Sequence, residues 1–294
     1  MNITTFEELC RVCEQENKKI FEVAQENEAQ KNDISVSDLR KIVAQNIQAM
    51  KDAIKTGLKS SEKSFSGMSG GDCTKLQTKF NQKGSLLGVI FEKITTYALA
   101  TSEENARMGK IVACPTAGSC GIVPSVLVAV SEELNISEEE QIDALITAGE
   151  IGRIISNKVQ LAGAVAGCQA ECGVASAMAS GALAQLRQES TEHILSAVAL
   201  AMKNLLGLTC DPVCGLVEIP CIKRNPFLGV HAVTAYELAS AGIKSIIPLD
   251  EVIDTLEQTG QLMSPSLKES SQAGLAKTKT GLRLEQKFLQ ENDL

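Results

Sequence analysis

A long run of small, uncharged residues is the feature that most limits how this chain can fold. Residues 159 to 186 are nearly uncharged, rich in Ala and Gly, and include the small-xxx-small pattern Gly163-Ala164-Val165-Ala166-Gly167. This pattern also occurs where membrane helices cross, but Gln160, Gln169 and Glu171 interrupt the run, and no Leu-rich core with basic flanks surrounds it. We therefore predict no membrane span but a buried helix in the centre of the domain, whose small residues permit close helix crossing.

The rest of the hydrophobic pattern is helical. Residues 6 to 58 predict two amphipathic helices around a break near Asn32 to Ser37, and residues 86 to 107 and 249 to 258 predict further helices. Strands are scarce, because alternation with a period of two never persists beyond a few residues. Aromatic residues make up 3% of the chain, so aliphatic residues and glycine must build the core. The prediction is a mainly α fold, a single large helical catalytic domain spanning residues 1 to 294.

Charge and cysteine usage limit the function classes. The net charge of -8 and the scattered Lys and Arg residues exclude a nucleic-acid-binding surface. Residues 1 to 13 contain no apolar signal region, so we expect a cytoplasmic protein. Cytosolic thiols stay reduced, and ten cysteines are therefore better explained by metal binding or catalysis than by disulfides, with some of them serving as small buried apolar residues.

Two segments rich in Gly and Ser are candidate site loops. Lys59 to Gly71 ends in the turn-forming sequence Gly67-Met68-Ser69-Gly70-Gly71-Asp72, and a second loop, Pro115 to Gly121, leads directly into an apolar stretch. Free peptide N–H groups where a loop feeds a helix can hold an anion such as a substrate carboxylate. The same pattern is also that of an ordinary tight turn, and the loop alone does not distinguish the two.

The later cysteines are spaced regularly. Cys168 and Cys172 are four residues apart, as are Cys210 and Cys214, so each pair fits one face of a helix. Cys221 follows in a segment whose two prolines force irregular backbone. The spacing matches neither a zinc ribbon nor a ferredoxin motif, so spacing alone does not specify a metal site.

The residues around these cysteines resemble the signature segments of the iron-sulfur-dependent L-serine dehydratases. The resemblance covers about residues 60 to 282 and depends on five ordered segments: Ser69-Gly70-Gly71-Asp72, residues 104 to 118 (ENARMGKIVACPTAG), Gly167-Cys168-Gln169-Ala170-Glu171, residues 207 to 213 (GLTCDPV) and residues 217 to 225 (VEIPCIKRN).

The resemblance implies a cofactor and its ligands. In that family three cysteines hold a [4Fe-4S] cluster, and the matching residues are Cys168, Cys210 and Cys221. The fourth iron lacks a protein thiolate and acts as a Lewis acid on the hydroxyl and carboxylate of L-serine. The remaining cysteines of these segments are predicted to be packing residues: Cys114, Cys120, Cys172 and Cys214.

Two departures from the single-chain family members imply a partner. The chain starts directly in the catalytic region and ends at residues 288 to 294 (FLQENDL), without the ACT-like domain or the cysteine-bearing tail of those members. It therefore resembles the alpha subunit of the two-chain form, which implies a beta subunit with an ACT-like domain. Lys203-Asn204-Leu205-Leu206 also lacks the His-Asn pair of single-chain members, so no histidine role carries over.

The resemblance also suggests substrate-binding residues. Thr116, Gly118 and Ser119 would hold the carboxylate or amino group of L-serine, and Ser66, Ser69 and Gly70 would form the opposite wall. Arg224 and Asn225, just after Cys221, are expected to support the site, and Asn225 is a candidate substrate contact.

The catalytic base is not identified by sequence. Its candidates are Lys75 and Ser119, since His193 and His231 lie outside the recognised segments. A lysine base requires a pKa lowered by burial, and a serine requires an activating neighbour. A solvated surface charge is the alternative role for Lys75.

Three other functions remain open at this point. A cysteine desulfidase performs the same elimination with a different leaving group. A pyridoxal-phosphate dehydratase would use Gly67 to Gly71 as a phosphate loop and Lys63 as the Schiff-base lysine, but it requires an α/β sheet. A non-catalytic iron-sulfur redox sensor would need the cysteines but not the two Gly- and Ser-rich loops.

Overall fold

The computed structural model describes residues 3 to 291, and these form thirteen α-helices and no strand. The mainly α prediction is confirmed. The helices are α1 (Phe6–Glu16), α2 (Ile20–Lys31), α3 (Val36–Lys59), α4 (Asp72–Lys83), α5 (Val89–Ala106), α6 (Ile122–Leu134), α7 (Glu138–Ser156), α8 (Gly163–Ala166), α9 (Val174–Leu186), α10 (Thr191–Lys203), α11 (Cys221–Ser240), α12 (Leu249–Leu262) and α13 (Lys279–Glu291).

Helix α9 is the centre of the fold. All thirteen of its residues are buried, and α6, α7, α10 and α11 pack around it. Small residues make this packing close: a Cβ atom on Gly181 would lie 2.2 Å from Cδ1 of Ile151 on α7. The predicted buried helix is therefore found, because an uncharged run can be covered on all sides.

The uncharged run was expected to form one buried helix, but in the structure it is divided into separate segments. Residues 159 to 162 precede the single-turn helix α8, and a π-helical turn over Gln169–Gly173 leads into α9. Gly167, with a φ of 78°, separates α8 from this turn. The break places Cys168 at the entrance to the central helix.

The N-terminal region contains three helices where the sequence pattern predicts two. The expected break after α2 is present, but α1 also ends at Asn17, which adopts a left-handed φ of 50°. Helix α1 begins at a capping box in which Thr5 and Glu8 bond each other's backbone N–H groups. The missed boundary carries local signals, since Thr5 and Glu8 have capping-box spacing and Asn favours left-handed helix ends.

One stretch of the described chain, Ala117–Leu134, is long and apolar enough to cross a membrane. In the fold, 78% of it is buried inside the protein. Ten consecutive residues at the start of α6, Ile122 to Ser131, are buried. This stretch is a core helix, and the run at 159 to 186 is not a membrane candidate in the described chain.

Candidate functional site

The fold brings together three cysteines from three separate segments. Cys168 begins the π-helical turn before α9, Cys210 lies in the loop after α10, and Cys221 is the first residue of α11. All three are buried free thiols. The expectation that Cys210 and Cys214 share one helix face is wrong, because Cys210 forms an isolated bridge with Lys268 and Cys214 lies in a short 3₁₀ turn.

Gln169 fixes Cys168 relative to Cys210. Its peptide N–H donates to the carbonyl of Leu208 (2.9 Å), and its side-chain oxygen accepts from the N–H of Gly207 (2.8 Å). Its amide nitrogen donates to the carbonyl of Leu256 on α12 (3.2 Å). Because Gln169 is fully buried, these bonds are made in a low-dielectric interior. They join the loop that precedes Cys210 to the turn that carries Cys168.

The C-terminal stretch holds Cys210 from the other side. The N–H of Cys210 donates to the carbonyl of Leu267 (2.9 Å), and its carbonyl accepts from the N–H of Glu269 (2.7 Å). Asp211 accepts from the N–H of Leu275 (2.8 Å). The sequence pattern marked nothing distinctive after residue 258, yet this segment forms a wall of the cysteine site.

The thiols interact with one another and with a single guanidinium. The Sγ atom of Cys168 lies within hydrogen-bonding reach of the thiols of Cys172 and Cys210 and of Arg224. Hydrogen bonds from these two thiols, together with the Arg224 charge, hold the pKa of Cys168 well below its ordinary value. The pKa values of both Cys172 and Cys210 are raised, chiefly by their hydrogen bonds to Cys168. Burial raises the pKa of Cys221 to about 12.

Arg224 is an internal ion-pair residue and not the surface charge that its residue type suggests. Its side chain is 18% exposed, and it donates to the carbonyl of Thr209 (2.9 Å) and to Oδ1 of Asp211 (3.1 Å). These contacts lock α11 against the residues on either side of Cys210. The predicted supporting role of Arg224 agrees with this geometry.

Glu171 is a site residue that the sequence analysis did not assign. It lies in the π-helical turn, where it accepts a hydrogen bond from Thr116 and where Oε2 is 3.9 Å from Sγ of Cys210. Burial, and next the charge of Cys168, raise the pKa of Glu171 to about 7. Oxygen atoms of Glu171 and Glu269 and the sulfur of Cys210 all lie within 4.8 Å of one another.

The loop at 114 to 121 lies beside this carboxylate. Thr116 caps the short 3₁₀ turn Ala117–Ser119, and an added Cβ on Gly118 would lie 3.6 Å from Oε1 of Glu171. Asn225 ties the loop to α11: its oxygen accepts from the N–H of Gly121 (2.9 Å), and its amide group donates to the carbonyls of Gly118 and Cys221 (both 2.9 Å). Asn225 therefore positions the loop, since both its oxygen and its amide protons are already engaged.

Ser119 is fully buried, and its hydroxyl donates to the carbonyls of Cys114 (3.2 Å) and Thr116 (3.3 Å). None of the hydrogen bonds formed by its hydroxyl involves a histidine or a carboxylate in the described chain. The structure thus gives Ser119 a loop-building role and shows no group that would activate it.

The second Ser-rich loop and the residue that follows it contact the segment that carries Cys221. Ser69 donates to Oε2 of Glu218 (2.5 Å), and Glu218 is buried three residues before Cys221. Ser66 accepts from the N–H of Met68 (3.1 Å) and contacts Ser64. An added Cβ on Gly70, which has a φ of 109°, would lie 2.3 Å from the carbonyl oxygen of Glu62. The loop therefore requires glycine there.

Lys75 does not meet the requirements of a lysine base. Its side chain is 74% exposed and pairs with Asp72 (2.7 Å). The hydrogen bond and charge of Asp72 raise the pKa of Lys75, whereas a base requires it lowered. Lys63 is also exposed. Residues 3 to 291 contain no strand, so they lack the α/β sheet that a pyridoxal-phosphate dehydratase requires.

The other four cysteines of the recognised segments separate into two groups. Cys114, Cys120 and Cys172 are buried, and burial is the leading cause that raises the pKa of both Cys114 and Cys120 to about 12. Cys172 differs from these two because it contacts Cys168. Cys214 is partly exposed and lies at a left-handed φ of 60°.

Comparisons with known proteins agree on one family. A family model described as serine dehydratase alpha chain matches residues 15 to 276. The chain is 42% identical over 281 residues to the probable L-serine dehydratase, alpha chain, of Bacillus subtilis. The aligned residues make up 96% of this chain and 93% of the relative. It is 37% identical to the L-serine dehydratase, alpha chain, of Peptoniphilus asaccharolyticus over 99% of this chain and 100% of that one. The L-serine dehydratase of Streptomyces coelicolor is 42% identical over 67% of this chain and 44% of its own length.

Proposed function

This chain belongs to the serine dehydratase alpha-chain family, and we propose that it is an L-serine ammonia-lyase that converts L-serine to pyruvate and ammonia. The observation that carries the proposal is the convergence of Cys168, Cys210 and Cys221 beside the Thr116 loop. Elimination must remove a weakly acidic Cα proton and release hydroxide, a poor leaving group. The site therefore needs an electrophile at the hydroxyl and a surface that orients the rest of the amino acid.

We also propose that these three cysteines hold a [4Fe-4S] cluster. The donor set suits such a group, since these three thiols are buried and free, Cys168 contacts Cys210, and the charge of Cys168 acts on Cys221. Gly163 is consistent with this proposal, because a Cβ there would lie 3.0 Å from Sγ of Cys210 and crowd the thiol. Arg224 adds a cation that offsets thiolate charge. When bound, a cluster with one iron that lacks a protein thiolate supplies Lewis acidity toward the leaving hydroxyl.

The chain's own residues position the substrate in this proposal. Thr116 and Gly118 hold the substrate beside the cysteines, on a loop that Asn225 fixes to α11. Ser66, Ser69 and Gly70 form the opposite wall, anchored by the Ser69 to Glu218 bond. Burial of the cysteines excludes bulk water from the reacting atoms, which strengthens each electrostatic contact.

The proposal includes a second chain and a cytoplasmic location. Two close relatives that match this chain over nearly their whole length are named alpha chains, a name that implies another subunit. We propose a beta subunit with an ACT-like domain as that partner. Ten cysteines, all free where described, suit a reducing compartment such as the cytoplasm.

The experiment is anaerobic reconstitution of the chain with iron and sulfide, with and without a beta subunit. Pyruvate formation from L-serine and the visible spectrum are then recorded. Cys210→Ala should lose both cluster absorbance and pyruvate, while the matched Cys214→Ala should retain both, because Cys214 lies in the partly exposed 3₁₀ turn.

Each alternative gives a different result in this assay. Hydrogen sulfide from L-cysteine without pyruvate from L-serine would identify a desulfidase. A cluster that forms without turnover of either substrate would indicate a sensor. Failure of any cluster to form, or equal loss in the two cysteine variants, would refute the proposed cofactor site.

A further inference from the structure

We propose that the Glu171 carboxylate binds the ammonium group of the amino-acid substrate. This inference rests on the proposed function for the identity of the site. It assigns a residue to the ammonium group of the substrate, for which the family resemblance gives no specific residue. It follows from the position of Glu171 and from the hydrogen-bond and ion-pair partners of the neighbouring carboxylates.

The carboxylate lies where the two halves of the site meet. Glu171 contacts the Thr116 hydroxyl on one side, and on the other side its Oε2 is 3.9 Å from Sγ of Cys210. Two glycines let the backbone approach the carboxylate closely: added Cβ atoms on Gly163 and Gly118 would lie 2.3 Å and 3.6 Å from its oxygens. A substrate that contacts both the loop and the cysteine pocket therefore passes within reach of Glu171.

Two other carboxylates near the site, those of the buried Asp211 and Glu218, already have partners. Asp211 accepts from Arg224 and from the N–H of Leu275, and Glu218 accepts from Ser69. Arg224 is thereby held by Asp211 and the carbonyl of Thr209 and does not pair with Glu171 in the structure. Glu171 accepts hydrogen bonds from Thr116 and Cys210, but neither Glu171 nor Glu269 forms an ion pair with a Lys or Arg residue in the described part of the chain. A cationic ligand can therefore pair with them.

Glu269 makes the position more favourable for a cation. Its carboxylate lies within 4.8 Å of that of Glu171, and both groups are only partly buried. Two neighbouring anions repel each other, and a positive group between them relieves that repulsion. An ammonium group has three donors, so it can bond to Glu171 while it also bonds to a second acceptor.

The test compares two ligands that differ by the ammonium group alone and that cannot be dehydrated, L-alanine and propanoate. Each is titrated calorimetrically into the cluster-loaded chain and into Glu171→Gln, which removes the charge and keeps the side-chain size. Glu171→Asp retains the charge, and Glu192→Gln, at an exposed ion pair with Lys244, controls for net charge. Iron and sulfide content and the visible spectrum are measured for every variant.

We expect the wild-type chain and Glu192→Gln to prefer L-alanine over propanoate. Glu171→Gln should weaken L-alanine binding about 10- to 100-fold, the loss of one charged hydrogen bond, and change propanoate binding by less than about threefold. Glu171→Asp should recover part of the preference. Cluster content should be equal in all four proteins.

Other results would overturn the inference. Equal weakening of both ligands, or no weakening, would mean that Glu171 does not contact the ammonium group, and loss of the cluster in Glu171→Gln would make Glu171 a structural group of the cofactor site. Neither ligand is turned over, so the result is independent of catalysis. A preference for L-alanine that depends on Glu171, without pyruvate formation from L-serine, would refute the dehydratase proposal and retain this inference. Pyruvate formation from L-serine without such a preference would refute this inference and retain the dehydratase proposal.

Discussion

Replacing Gln169 with leucine tests how the cysteine site is assembled. The substitution keeps approximately the same volume in a fully buried position, and it removes two side-chain hydrogen bonds, from Gly207 N–H (2.8 Å) and to the Leu256 carbonyl (3.2 Å). The hydrogen bond from the backbone N–H of residue 169 to the carbonyl of Leu208 remains, so the main chain keeps one attachment. The perturbation therefore loosens the loop before Cys210 without opening a large cavity.

The expected cost follows from those two bonds. Each buried hydrogen bond contributes about 0.5–1.5 kcal/mol, so Gln169→Leu should lower the free energy of unfolding by about 1–3 kcal/mol. Gln141 is the matched control, since it is also buried but donates one bond, to the carbonyl of Ile136 (2.9 Å), and its Oε1 has no partner among the described residues. Gln141→Leu removes a poorly satisfied amide and should cost less than about 1 kcal/mol.

The assay is urea unfolding of the metal-free chains, followed by anaerobic reconstitution and iron analysis. Gln169→Leu should bind less iron than Gln141→Leu at the same stability, reached by adjusting temperature, because Cys168 and Cys210 are no longer held together. Equal unfolding free energies and equal iron content in the two variants would refute the role assigned to Gln169.

Three further results are expected. Ser69→Ala removes a hydrogen bond to the buried Glu218 carboxylate and should lower the free energy of unfolding by about 1.5–3 kcal/mol in urea titrations, with Ser66→Ala costing less; equal costs would contradict the anchoring contact. Lys75→Ala should leave the rate of pyruvate formation within about twofold, because Lys75 is exposed and paired with Asp72, and a hundredfold loss would restore it as a base. The pKa of Glu171 is raised to about 7 from an ordinary 4.5. Between these two pH values, Glu171 keeps its proton in the folded metal-free chain and has lost it in the unfolded chain. Its contribution to stability therefore falls as the pH rises through that window. Relative to wild type, Glu171→Gln should gain about 2–3 kcal/mol of unfolding free energy between about pH 5 and about pH 8, and a constant difference would contradict the shift.

Local sequence was sufficient to predict the central helix and to select three cysteines that the fold brings together, whose role as cluster ligands stays a prediction. Residues 174 to 186 carry no charge, so burial on all sides was readable from composition. Cys168, Cys210 and Cys221 were selected because the residues around them resemble a known family, and the fold then brings these three segments together. Spacing alone failed for Cys210 and Cys214, since the glycines and prolines around them end any helix.

Residues whose role depends on distant partners were missed. Glu171 lies in the recognised segment around Cys168, but nothing local indicates that it meets Thr116, which lies 55 positions earlier. The C-terminal wall was missed for the same reason, because Leu267 and Glu269 hold Cys210 through backbone groups that every residue type possesses. Lys75 shows the opposite case, in which the residue type suited a base and exposure decided against it.

The anchors of the site determine which group can respond to pH. Gln169 and Asn225, which fix the Cys210 loop and the Thr116 loop, are neutral amides buried at 0% and 1% exposure, and their hydrogen bonds do not titrate. The Arg224 to Asp211 pair keeps an always-charged guanidinium. Glu171 is the described carboxylate of this site whose pKa is raised to near neutrality. In the metal-free chain, a pH change near 7 should therefore change the charge of Glu171 while the architecture of the site stays the same.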